Sequence, residues 1–160
     1  MSEEKRYTEA EAQRYFAIEF NGQTWNLLEK TDRSAEEDAL MVHSAHASHR
    51  HWVEAGTGVH QQRGEWLIAR AYAVLGLGEA ALRHANRCLE LTKVHSDLMA
   101  DFDWAFAYEG VARASAIAGQ KAKALEYIEM AAEAGQAIAD EQNREIFVAD
   151  FDGGDWAGLR

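Results

Sequence analysis

Apolar and small side chains along this chain of 160 residues keep to helical spacing. At about 100° per residue with Arg63 as zero, Ile68, Tyr72 and Leu75 fall together between about 120° and 180°. Trp66, at about 300°, and Arg70, at about 340°, fall on the opposite side. Runs that alternate β-branched or aromatic residues with polar ones, the signature of strands, are missing from the sequence. The pattern predicts six helices in an all-α chain. The first spans Thr8 to Lys30, with Thr8 and Glu11 forming a capping box at its start. Ser34 and Glu37 form a second box ahead of a helix from Ala35 to Glu54, which Gly56-Thr57-Gly58 ends. Further helices are expected over Val59–Leu75, Glu79–Val94 and Ala100–Ala118. Gly76-Leu77-Gly78, His95-Ser96-Asp97 and Gly119 mark the turns after them. The sixth starts near Lys121 and is expected to run past Gly135 to Val148.

A repeat is superimposed on this periodicity. Ala69-Arg70-Ala71 returns as Ala112-Arg113-Ala114, and at the same offset Ala73 meets Ala116, Gly76 meets Gly119 and Ala81-Leu82 meets Ala124-Leu125. Conserving small residues at a fixed offset is what close helix–helix contact requires, and a period in this range predicts stacked helical hairpins. The hairpins are expected over 8–55 (divergent), 59–95 and 100–148, within one domain covering 1–160. Two glycines stop the last helix, and the tail over 149–160, with Phe151 and Trp156, is expected to dock on an open end of the stack.

Composition narrows the function classes. The chain has no proline, and its formal charge is −11, which repels nucleic-acid phosphates and anionic lipid. No apolar run reaches the length of a membrane span. The opening Met1-Ser2-Glu3-Glu4-Lys5-Arg6 lacks the apolar stretch of an export leader, and the single Cys88 cannot close an internal disulfide. A cytoplasmic protein without nucleic-acid or membrane partners is the expectation.

Ala69, Gly76, Ala81 and Cys88 in one hairpin, and Ala112, Gly119, Ala124 and Ala131 in the next, sit where two paired helices must approach closely. In this the chain resembles the tetratricopeptide repeats, with Tyr72 at a place where that family favours an aromatic. Ser115, the counterpart of Tyr72, departs from the pattern, as do the longer spacing and the missing proline. The first hairpin matches only through Ala39-Leu40 against Ala81-Leu82. The chain also resembles small stand-alone helical-repeat proteins of bacteria. The resemblance implies a short right-handed superhelix with a concave groove for a peptide or protein partner.

In such a groove the stripe of Arg63, Trp66 and Arg70, and its repeat Phe106, Glu109 and Arg113, would face the ligand. Guanidinium groups clamp carboxylates through paired hydrogen bonds, and the aromatics add apolar contact. An acidic peptide or partner is therefore one expectation, and a second copy of the chain is another. Glu109 and Arg113, four apart, are alternatively a local ion pair on a wet face. Thr24, Trp25 and Leu28 are candidate walls from the first hairpin.

The densest chemistry lies in His43-Ser44-Ala45-His46-Ala47-Ser48-His49-Arg50-His51. His43, His46 and His51 fall within about 140° of arc, and imidazole is a common ligand of divalent metals. Glu54 or Asp103 would complete such a set. No other cofactor is implied. The competing reading makes these partly buried, hydrogen-bonded histidines, because His43 and His46 align with the packing residues Ala85 and Cys88. His84 and Cys88 lie one turn apart, a spacing open to a thiolate–imidazolium pair, although a buried thiol replacing alanine explains Cys88 as well. Asp101 and Asp103 suit a helix start. Two functions result: a scaffold module that binds peptide or protein in its groove, or a small-molecule or metal pocket, catalytic or not, built from His43–His51 and the Arg63/Trp66/Arg70 stripe.

Overall fold

A computed structural model describes residues 3–160. Met1 and Ser2, which open both the segment read for a leader and the 1–160 domain, lie outside the described residues. The described residues form seven helices and no strand: α1 (Glu9–Glu29), α2 (Ala35–Ala55), α3 (Gly58–Val74), α4 (Gly78–Val94), α5 (Asp101–Ile117), α6 (Lys121–Gln136) and α7 (Glu141–Asp152). None of them is long and apolar enough to cross a membrane.

Both capping boxes form. Thr8 Oγ1 accepts from the Glu11 amide at 3.2 Å while Glu11 Oε2 accepts from the Thr8 amide at 2.8 Å. Ser34 and Glu37 repeat the exchange at 3.2 and 2.9 Å. Each box satisfies two amides that the first turn of a helix leaves without partners. Asp103 caps α5 by accepting from the Ala100 amide at 2.9 Å.

Helices pack in neighbouring pairs, α1 on α2, α3 on α4 and α5 on α6, and α3 also meets α5. Small residues make this possible. Ala81 and its repeat Ala124 are fully buried, as are Cys88 and its repeat Ala131. The turns between paired helices match as well. Gly76 and Gly119 take φ of 73° and 77°, a left-handed conformation that other residues adopt only at a cost. In each case the following amide closes the motif, Leu77 on the Tyr72 carbonyl at 3.0 Å and Gln120 on the Ser115 carbonyl at 2.8 Å.

The helix predicted from Lys121 to Val148 is two helices. α6 stops at Gln136, Ile138 plugs into the core, and Asp140 caps α7 by accepting from the Asn143 amide at 2.8 Å. Asp101 pins this connection to the start of α5 by accepting from the Ala139 amide at 2.9 Å. Burial drives the reversal. It lays Phe147 of α7 over Gly135, where any side chain would collide with the ring. Phe147, Phe151 and Trp156 are all buried against α5 and α6, and each contributes roughly 1.5–3 kcal/mol relative to exposure.

Candidate functional site

Trp66 of α3 and Glu109 of α5 stand at equivalent positions of the repeat. Trp66 Nε1 donates to Glu109 Oε2 at 3.1 Å. Arg70, one turn beyond Trp66, donates to Glu109 Oε1 at 3.2 Å, and Arg113 donates to the same oxygen at 2.6 Å. Glu109 is fully buried and Arg113 almost so. Instead of a wet stripe, these residues form an internal polar layer between α3 and α5. Arg70 also holds Asp150 of α7, and its guanidinium lies 5.1 Å from the centre of the Trp66 ring. Gly110 gives the indole room, since a methyl group there would press on Trp66 Cδ1.

Arg113 reaches past Glu109 to the tail. It donates to the main-chain oxygens of Asp150 at 2.9 Å, Gly153 at 2.9 Å and Asp155 at 3.3 Å. Its guanidinium sits 4.1 Å from the Trp156 ring centre. Burial pushes the Arg113 pKa below its ordinary value, opposed by the Glu109 charge. It also raises that of Asp150, opposed by Arg70. Gly154, at φ 76°, lets the chain curl around Arg113, where a side chain would meet the guanidinium. The tail residues 153–156 thus occupy a part of the face that the stripe was expected to offer to a partner.

What remains open is a cleft of about 400 Å³ bordered by α1, α3, α5 and α7. Its walls are Trp25, Trp66, Leu67, Phe102, Phe106 and Ile146. Trp25 stacks on Trp66 with ring centres 5.9 Å apart, and Phe106 meets Trp66 edge-on at 5.4 Å. At the polar end Arg63 forms a two-pronged bridge to the buried Asp103, Nε to Oδ1 at 2.8 Å and Nη2 to Oδ2 at 3.0 Å. Asn21, Gln62 and Asp150 complete the border. Arg63, Arg70 and Arg113 thus face Asp103, Glu109 and Asp150, and each carboxylate meets at least one guanidinium.

The histidines disperse. His43 is exposed. His46 Nε2 meets the Tyr72 hydroxyl at 3.0 Å, between α2 and α3. His51 Nδ1 meets Gln13 Oε1 at 2.6 Å, and its ring stacks on Phe20 of α1. Asp103 joins none of them, being spent on Arg63 and the α5 cap. Among the described residues no group of three or more His, Cys, Asp or Glu side chains is placed to hold a metal ion.

A different cluster forms around Glu65 of α3. His84 Nδ1 lies 2.6 Å from Glu65 Oε2, and His49 Nε2 lies 3.4 Å from Oε1. His46 meets His84 edge-on at 5.3 Å. Burial lowers the pKa of His46 and His49, aided by the neighbouring His84 charge and opposed by Glu65. His84 is thus tied to Glu65, while Cys88 is buried and its thiol pushed up by desolvation. This is the opposite of what an activated nucleophile needs.

Gln62, Phe102, Ile146 and Asp150 were not candidates from the sequence. Gln62 immediately precedes Arg63 of the stripe, and Phe102 immediately precedes Asp103, the candidate metal ligand, so a neighbouring candidate was the only signal for each. Ile146 and Asp150 carry none, because α7 reaches the cleft through the reversal after α6. No family model, curated protein sequence or solved structure matches the chain.

Proposed function

We propose that this chain is a binding protein whose ligand, a compact and largely apolar molecule, lies in the cleft between α1, α3, α5 and α7. The observation that carries the reading is the apolar wall of Trp25, Trp66, Phe102, Phe106 and Ile146 around about 400 Å³. This volume suits a small molecule, and small-molecule sites characteristically combine apolar walls with a few fixed polar groups. The helix pairs are read here as three hairpins in a tetratricopeptide-like stack, with the cleft on its concave side. A cytoplasmic location fits the single buried cysteine.

N-phenyl-1-naphthylamine, an uncharged dye that brightens in apolar surroundings, tests the reading. One dye molecule is expected to bind per chain. Ile146→Arg should weaken binding at least tenfold, because Ile146 borders the cleft yet is 55% exposed and tolerates replacement. A dye that does not bind, or that binds Ile146→Arg equally well, overturns the proposal.

A second reading, a peptide partner, is favoured by one observation: Arg113 already holds three main-chain carbonyls of the chain's own tail. In that case N-acetyl-tryptophanamide should displace the dye, and flanking residues should strengthen the competition. Competition that flanking residues leave unchanged supports the small molecule instead.

A further inference from the structure

The α1 wall of the cleft is seated through a seam rich in titratable groups. Three histidines converge on one carboxylate where α2 lies against α3 and α4. His84 of α4 holds Glu65 Oε2 of α3 at 2.6 Å, and His49 Nε2 of α2 stands 3.4 Å from Oε1. His46, one turn earlier on α2, meets the Tyr72 hydroxyl of α3 at 3.0 Å and the His84 ring edge-on.

The seam has no room for a hydrated charge. The His49 ring rests on the bare backbone of Gly64, where an added methyl group would stand 2.7 Å from Cδ2. Its Nε2 is buried and makes no hydrogen bond. Glu65 is buried and carries one negative charge, so it balances one imidazolium and leaves a second uncompensated. Arg87 of α4, itself paired with Glu90, adds a positive charge facing His49, and His43 adds another facing His46 once protonated. α1 meets this part of α2 through uncharged groups, Ser44 Oγ donating to Gln23 Oε1 and Ser48 Oγ to the Ala17 carbonyl. Burial accordingly holds the pKa of His46 and His49 below the ordinary histidine value, so both take up protons more readily once the seam has parted.

α1 packs along α2 and only touches α3. It nevertheless gives the cleft Asn21 and Trp25, with Trp25 stacked on Trp66. This wall therefore follows α2 when α2 lifts from α3. Resting on the cleft reading above, we propose that the cluster of His46, His49, His84 and Glu65 is an acid-operated release device for the ligand. Protonation drives α2 from α3 and α4, α1 goes with it, Trp25 leaves Trp66, and the ligand loses one wall. α5, α6 and α7 keep a core of their own.

N-phenyl-1-naphthylamine, a diarylamine that stays uncharged in weak acid, tests this. Its affinity is expected to fall at least about fivefold between pH 7.5 and 5.5, while the helical circular dichroism signal holds. His46→Gln combined with His49→Gln should bind the dye as the wild type does at pH 7.5 and keep that affinity at pH 5.5. Should the pair fail to fold, His46→Gln alone should show a smaller fall than the wild type. Three results overturn the inference: a wild-type affinity that ignores pH, a loss of helix that accompanies release, or a fall that the variants share in full, as titration of Asp150 at the cleft's border would give. The cleft reading survives each of them as long as Ile146→Arg weakens dye binding at pH 7.5. A dye that does not bind at pH 7.5, or that ignores Ile146→Arg there, removes both.

Discussion

Arg70 and Arg113 stand at equivalent positions of the repeat, yet both reach the same oxygen, Glu109 Oε1, at 3.2 and 2.6 Å. Glu109 is itself the repeat partner of Trp66, which donates to its other oxygen. The repeat thus places two like-charged residues together and supplies, at the Trp66 position of the next unit, the carboxylate that reconciles them.

Replacing that carboxylate should be costly. Breaking a buried ion pair from one side typically removes about 3–5 kcal/mol, and Glu109→Gln is expected near the lower end, about 3 kcal/mol. Urea denaturation followed by circular dichroism measures it. Combined with Arg70→Met, the loss should be smaller than the sum of the single losses, since both changes break one interaction. Full additivity would show that the two side chains do not communicate.

Trp156→Ala tests whether the tail is structural. Its ring is buried, its Nε1 donates to the Phe151 carbonyl at 3.1 Å, and Arg113 lies over it. Truncating a buried tryptophan costs about 3–5 kcal/mol. A change in urea midpoint within experimental error would mean that the tail is only loosely held.

Acidification should destabilise the fold between pH 7.5 and 5.5. The pKa values of His46, His49 and His60 are held below the ordinary histidine value, chiefly by burial. The unfolded chain therefore takes up protons first as pH falls, so stability is present above about pH 6.5 and lost below it. The groups facing His46 and His49 are Tyr72, Glu65, His84, His43 and Arg87. His49→Gln should flatten the dependence of the urea midpoint on pH across this range. A midpoint that rises on acidification would refute the assignment.

Gly76→Ala and Gly119→Ala should each cost about 1–2 kcal/mol, from backbone strain alone. Both glycines have positive φ, and nothing lies within 4 Å of an added Cβ at either. The two losses should add in thermal or urea denaturation, because the turns are separate. A negligible loss at either turn would show that its left-handed geometry is dispensable.

Helix starts were legible because their signals are local: Thr8 with Glu11 and Ser34 with Glu37 act within one turn. The turn glycines and buried alanines were legible through the repeat, which reports the same packing demand twice. The break after Gln136 was not, because helical spacing continues across it and the decisive contact, Phe147 over Gly135, belongs to tertiary packing. For the same reason the sequence offers the stripe to a ligand in an open groove, or to water, when much of it is covered. A helical wheel orients Trp66, Arg70 and Arg113 but cannot show that α7 and the tail supply Asp150 and three carbonyls to them. His43, His46 and His51 share a helix face, yet Tyr72 of α3 holds His46 while Gln13 of α1 holds His51, which draws them apart.

The matching of three guanidinium groups to three carboxylates has a consequence for how the cleft would respond to ionic strength. The excess of eleven negative charges must reside elsewhere on the molecule. There, dissolved salt screens it over about 8 Å under physiological conditions. Occupancy governed by apolar walls would not weaken from dilute buffer to concentrated sodium chloride, while ionic contacts made by the outer surface are screened around it.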